Sequence, residues 1–358
     1  MSNPLPRIKI KDIAAMAGVS VGTVDRVLHN RGDVSIKSRE KVERVLKEIN
    51  YTPNIYASAL ASKRNFTFLA IIPSFSQGDY WEKIEEGIIR AANELSDFRV
   101  NVKIRYFEQY NIASFCKTME AALGDKPDGI LLPPSLKSTT YEFSSKMEQM
   151  NIPYVFIDSR IEDAHPLAYY GQHSYLSGCL AGKLLMNEKP NIEEIAIFSF
   201  YHLGQVPSNQ ISQRMSGFVS HMMEKKESCR LHRATLEINK PERNERILLE
   251  TFDKNKGIEG AVIFSSRAYV VAEFLKKYNM NHITLIGYDL LDRNVASLRN
   301  DSIAYLIAQR PEVQGYRGVR ALSDHLIFKK GVSAENNYMP MDILIHKNID
   351  FYLGFPNY

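Results

Sequence analysis

The chain has 358 residues, more than one hydrophobic core usually serves, so two or three domains are expected. Apolar residues make up 44% and charged residues 24%, which is ordinary for a globular protein, and no apolar run reaches the ~18 residues of a membrane span. The net charge of +4 is unevenly placed: residues 1–64 hold twelve Lys and Arg against six Asp and Glu, and the remainder holds 33 against 35.

That asymmetry points to a head that meets a polyanion and a body that does not. The N-terminal stretch MSNPLPRIKIKDI is basic but has no apolar core of a secretory signal, so a cytoplasmic location is expected. Cys116, Cys179 and Cys229 are odd in number and scattered, which suits inert thiols rather than disulfides or metal ligands. No cofactor is expected.

In chain order, Ile10, Ile13, Ala14 and Ala17 recur at helical spacing. Gly18 follows, where a helix end commonly needs positive φ. Ser20 is a suitable N-cap for a second helix whose inward face is Val24, Val27 and Leu28. Val21, Gly22, Asp25, Arg26 and His29 are left on outward or end positions. Two helices with so short a turn form a helix-turn-helix, and its second helix enters the major groove. Ser35 caps a third helix with a buried stripe of Val42, Val45, Leu46 and Ile49. Its Lys37, Arg39, Lys41, Arg44 and Lys47 could approach phosphates, although a solvated basic face would read the same. Residues 51–64 read as a hinge, with Ile55, Tyr56, Ala57, Ala59, Leu60 and Ala61 favouring a short helix.

The run IKIKDIAAMAGVSVGTVDRVLHNRGDVSIKSREKVERVLKEINYTPN resembles the N-terminal head of the lactose-repressor (LacI/GalR) family nearly end to end. The resemblance implies a DNA-binding head that works as a pair on a pseudo-palindromic operator. Its DNA contacts would come from Ser20, Val21, Gly22, Thr23, Arg26 and His29, and from Ala57 and Leu60 of the hinge helix. Leu60 sits where the family inserts a leucine wedge into the minor groove. Two departures are visible: Asp25 replaces the usual Ser before the recognition arginine, and Lys9 replaces a Thr or Ser cap.

From residue 65 on, apolar β-branched runs alternate with amphipathic segments. Strands are expected at 66–73, 100–107, 128–134, 153–159, 194–200, 259–266 and 282–289. Helical patterns include Trp81–Leu95, Ile112–Leu123, Ser174–Met186 and Ala268–Tyr278. Alternation of this kind implies βαβ units and mostly parallel sheets, with ligand beyond the carboxyl ends of the strands. The residues there are Ser74–Trp81, Pro134–Ser135, Asp158–Arg160, Ser265–Arg267 and Asp289. They mix aromatics, carboxylates and Arg, as recognition of a hydroxyl-rich ring requires.

This body resembles the periplasmic-binding-protein type I fold, with features of its ribose-type subgroup. The expected class is therefore α/β: an all-α head over 1–50, a hinge over 51–64, and a two-lobed effector-binding and dimerisation domain over 65–358. The resemblance implies a small effector, a sugar or sugar derivative, held by Tyr80, Trp81, Asp158, Arg214, Asp289 and Gln309. Arg214, in the family's R-x-x-GF motif, would reach into the cleft. Ser265-Ser266-Arg267 and Gly171-Gln172-His173 depart from the Asn-Asp and Asp-Asn pairs of many relatives.

The implied function is a transcription regulator, expected to repress, acting as a homodimer without a membrane partner. The C-terminus has no leucine heptads of the kind that tie some relatives into tetramers. An enzyme is disfavoured, because neither a zinc-binding H-E-x-x-H, a G-x-S-x-G elbow nor a phosphate loop is present. A periplasmic solute-binding protein shares the body but would leave the basic head without a purpose.

Overall fold

A computed structural model describes residues 8–28, 32–49, 51, 55–109, 111–200, 208–225, 228–332 and 337–355. The chain divides into two compact units, Met1–Ser62 and Lys63–Tyr358.

The first unit contains α1 (Ile10–Ala17), α2 (Val21–Leu28), α3 (Ile36–Glu48) and α4 (Ile55–Ala61). One small core unites Ile13, Ala14, Ala17, Val24, Val27, Val42 and Val45. These are the stripes that the 3.6-residue period selects. Gly18 ends α1 at φ 62, and its N–H is donated to the carbonyls of Ala14 and Ala15. Ser20 Oγ accepts from the Thr23 N–H at 3.1 Å, and Ser35 Oγ from the Ser38 N–H at 3.3 Å. At Lys9, where a hydroxyl cap is missing, the Asp12 carboxylate instead accepts from the Lys9 backbone N–H at 2.8 Å.

The second unit has two lobes. The first holds a five-stranded parallel sheet in the order β2-β1-β3-β4-β5, made of β1 (Phe66–Pro73), β2 (Val100–Phe107), β3 (Gly129–Leu132), β4 (Tyr154–Ile157) and β5 (Ala168–Tyr170). Around it lie α5 (Tyr80–Glu94), α6 (Ile112–Gly124) and α7 (Lys137–Gln149). The second lobe opens with α8 (Ser174–Glu188). It holds β6 (Glu194–Phe200), β7 (Arg230–Leu236), β8 (Ile258–Ile263), β9 (Thr284–Tyr288), β10 (Tyr305–Ala308) and β11 (Asp342–Leu344) in the order β11-β10-β9-β8-β6-β7. All its pairs are parallel except β10 with β11. Its helices are α9 (Asn209–Lys225), α10 (Pro241–Lys254), α11 (Ala268–Lys277) and α12 (Asp292–Arg299). After β10 the chain returns to the first lobe as α13 (Pro311–Leu326), which packs on α5 and β4, before closing with β11 and α14 (Ile349–Gly354).

Parallel strands covered on both faces are apolar along their whole length, which is why β1, β3, β4 and β6 read as continuous runs. In the second lobe α8 and α9 meet almost backbone to backbone. A Cβ added to Gly217 would stand 1.9 Å from the Tyr175 carbonyl oxygen, and one added to Gly178 would stand 1.9 Å from that of Arg214. That closeness holds Arg214 under the sheet's carboxyl edge.

The lobes are joined by three crossovers: Gly171–His173, Gln309–Arg310 and the segment around Met339. Gln172 ties them together. It is buried on the first crossover, and its Nε2 donates to Ala308 O at 2.7 Å and to Pro340 O at 2.9 Å. Met339 N–H donates to Gly171 O at 2.8 Å. The Gly171-Gln172-His173 departure noted in the sequence therefore falls on the joint between the lobes.

Candidate functional site

A cavity of about 470 Å³ lies where the carboxyl ends of both sheets face each other. Such a volume falls within the usual ~300–1,000 Å³ of small-molecule pockets. Tyr80, Trp81, Asp158, Asp289 and Gln309 all line it, as do Ser74, Ser135 and Ser265–Arg267 from the strand ends picked out in the sequence.

The two carboxylates occupy equivalent places. Asp158 directly follows β4 and Asp289 directly follows β9, and both stand at φ 67. Left-handed backbone is uncommon outside glycine, and it persists only where the surroundings impose it. Here the next strand does so: Asp158 N–H donates to Tyr170 O at 3.1 Å, and Asp289 N–H to Ile307 O at 3.2 Å. A chain of amides joins the two across the lobes. Gln210 Nε2 donates to Asp158 Oδ1 at 2.7 Å and to Gln309 Oε1 at 3.0 Å, and Gln309 Nε2 donates to Asp289 Oδ1 at 2.7 Å.

Arg214 does not line the cavity. It is wholly buried, with its guanidinium carbon 4.0 Å from the centre of the Tyr288 ring and Nη1 donating to Phe264 O at 2.8 Å. Its Nε and Nη2 make no hydrogen bond. Its charge nevertheless acts on both carboxylates. Burial raises Asp158 and Asp289 to about 6, against the opposing pull of Arg214 and of the glutamine donors. The Tyr80 hydroxyl is pushed well above its ordinary value, first by burial and then by the nearby carboxylates of Asp158 and Asp289. The site thus presents two buried carboxylates to the cavity beside the Tyr80 phenol, with the buried Arg214 balancing their charge from behind the wall, and carboxylates so placed suit the hydroxyls of a polar ligand. Trp81, buried edge-on to Tyr80 at 5.2 Å between ring centroids, supplies an apolar surface beside them.

Gln210 was not singled out in the sequence, although it lies four residues before Arg214 and so shares its helix face. Asn294 was also missed. It is fully buried, and its Nδ2 donates to Ser266 O, Tyr288 O and Asp289 O, pinning the ends of β8 and β9 together.

In the first unit, Ser20, Val21, Gly22 and Arg26 are exposed along the start and outer side of α2, and Thr23 is partly buried beside Ser20. Ala57 and Leu60 are exposed on α4. His29 lies outside the described residues.

The folds and the cavity define a class: a helix-turn-helix head followed by a two-lobed α/β binding domain. Residues 69–330 match the periplasmic binding protein domain family, and residues 9–54 match the lacI family of bacterial regulatory proteins. A solved structure of a putative LacI transcriptional regulator from Bacteroides fragilis superposes with a TM-score of 0.77 at 37% identity, covering 81% of this chain and all of that one. A ribose operon repressor from Halalkalibacterium halodurans is 26% identical over 281 residues, 78% of this chain and 80% of that protein. A sucrose operon repressor from Staphylococcus xylosus is 29% identical over 176 residues, 49% of this chain and 52% of that protein. The chain belongs to the lacI family and is a DNA-binding transcription regulator, a reading that disfavours a transport binding protein. Among the described residues no helix is long and apolar enough to cross a membrane.

Proposed function

We propose that the protein is a repressor whose operator affinity is set by a small carbohydrate bound between the lobes. It acts as a homodimer in the cytoplasm, on a pseudo-palindromic operator. The observation that carries this reading is the Asp158–Gln210–Gln309–Asp289 chain, which joins one carboxylate from each lobe at the wall of the cavity. Hydroxyl groups of a sugar would donate to the carboxylates, whose charge Arg214 balances from behind the wall, while Trp81 would cover an apolar face of the ring. Because the carboxylates sit on different lobes, a ligand held by both favours one relative placement of the lobes over others. It can shift DNA affinity only by its difference in affinity between those placements. In the head, Arg26 and the first turn of α2 would read base edges and Leu60 would wedge the minor groove.

The test is a thermal-shift and fluorescence screen of the full chain against monosaccharides and polyols. Trp81 is the only tryptophan in the chain and lines the cavity, so it reports directly on occupancy. A true effector raises the melting temperature by mass action and changes the Trp81 signal. If no sugar or polyol moved either readout, the carbohydrate reading would fall.

A further inference from the structure

A second cavity, of about 360 Å³, lies in the second lobe against α10 and α11. It shares Phe200, Ile238, Asn239 and Arg267 with the cavity of the cleft. Phe200 ends β6, Ile238 and Asn239 follow β7, and Arg267 follows β8, so both cavities meet at the carboxyl ends of three adjacent strands. The boundary between them is a fixed turn. Asn239 stands at φ 60, and the buried Asn244 holds the turn by exchanging two 2.7 Å hydrogen bonds with the backbone of Glu237.

The walls change character past this turn. Leu248, Val270, Phe274 and the ring of Tyr269 supply an apolar and aromatic floor. The long cations there are matched by carboxylates: Arg293 Nε donates to Glu273 at 2.9 Å and lies 3.9 Å over the Tyr269 ring, and Lys277 donates to Glu245. Lys240 stays exposed at the rim. In the cleft itself Asp79, Glu108, Asp158 and Asp289 line the wall against Arg267, which stands 3.8 Å from Asp79. A phosphate or carboxylate on the ligand would meet that excess of like charge in a partly desolvated site, where repulsion is strong.

We propose that this chamber is a second-ring subsite, and that the effector is an uncharged disaccharide rather than a monosaccharide or a sugar phosphate. The inference rests on the carbohydrate reading of the cleft. One ring occupies the Asp158–Asp289 site. The other passes Ile238 and Asn239, lays its C–H face on the apolar floor, and directs its hydroxyls to the charged rim.

The experiment measures binding to the full chain by Trp81 fluorescence and thermal shift. The probes are D-glucose, D-galactose, D-xylose and L-arabinose, the disaccharides maltose, cellobiose, lactose, melibiose and xylobiose, and glucose 6-phosphate. At least one disaccharide should bind about tenfold or more tightly than its own constituents. Val270→Phe, which narrows the chamber without adding a second tryptophan, should remove that advantage while the affinity for the constituent sugar stays unchanged. Tyr269→Ala, which removes the ring from the floor, should do the same, and it carries the test if Val270→Phe does not fold. Constituents that bind as tightly as every disaccharide, variants with unaltered disaccharide affinity, or tighter binding of glucose 6-phosphate than of glucose would each overturn the subsite while leaving the carbohydrate reading intact. A complete absence of sugar binding would overturn both.

Discussion

Asp289→Asn separates the electrostatic cost of the cleft from its shape. The substitution keeps an Oδ1 to accept from Gln309 Nε2, and Asn tolerates the φ of 67 that Asp289 adopts, whereas Ala would add backbone strain. What it removes is a buried charge. Burial moves this carboxyl from 3.8 to about 6, net of the favourable field of Arg214. At ~1.4 kcal/mol per pKa unit, the ionised group costs the ligand-free fold up to about 3 kcal/mol. The folded-state value is raised, so the protonated fold carries no such cost at low pH. The cost grows as pH rises from about 4 to about 6 and is constant above that. Asp289→Asn should therefore stabilise the ligand-free protein by about 1–3 kcal/mol near pH 7.5, with a gain that shrinks towards zero near pH 4. Urea unfolding of the full chain followed through Trp81 measures it. A variant no more stable than wild type near pH 7.5, or a gain that did not change with pH, would refute the assignment of Asp289 as a charge strained by burial. The same substitution should weaken binding of the effector, so the stabilised variant is also the less responsive one.

Three further perturbations address other parts of the molecule. Arg26→Ala should cost about 1–3 kcal/mol of operator binding and relax base preference at one position, read by comparing selected and random DNA in the same salt; an unchanged ratio removes Arg26 as a base reader. Leu60→Ala should reduce the operator bend in a circular-permutation gel while leaving sugar affinity unchanged, and an unaltered bend would defeat the wedge. Gly217→Ala places a Cβ 1.9 Å from the Tyr175 carbonyl oxygen, so α8 and α9 must separate. A loss of about 3 kcal/mol in urea unfolding is expected, and a neutral effect would mean that this helix contact yields cheaply.

Much of this fold is legible in the sequence, because parallel strands buried on both faces leave an unbroken apolar signal. β1, β2 and β6 begin and end where the residue pattern places them. The strands it does not mark are β5, β7, β10 and β11. β5, β7 and β11 are sheet edges, with a neighbour on one side only. β7, RLHRATL, is largely part-exposed and polar, and β5 and β11 are three residues each, too short to carry a period. β10 is central but only four residues long.

The cleft was legible for a related reason. In such a fold the residue after each strand faces it, and Asp158 and Asp289 hold those places. Gln172 and Asn294 were not legible, because what they do depends on backbone atoms distant in the chain: Gln172 reaches Ala308 and Pro340, and Asn294 reaches Ser266. Nor did the motif around Arg214 reveal its depth. It was expected in the cleft, but lies wholly buried beneath Tyr288 on a helix held close by Gly178 and Gly217.

The central claim is that a sugar bound on the two inter-lobe carboxylates governs DNA affinity. It is tested most directly by titrating labelled operator, selected from a random pool, against wild type and the Asp158→Asn, Asp289→Asn double variant, with and without the stabilising sugar. The account predicts that the sugar changes wild-type operator affinity by about 5–150-fold, that the double variant does not respond at the same concentration, and that both bind operator equally well without sugar. An undiminished response in the double variant would contradict it.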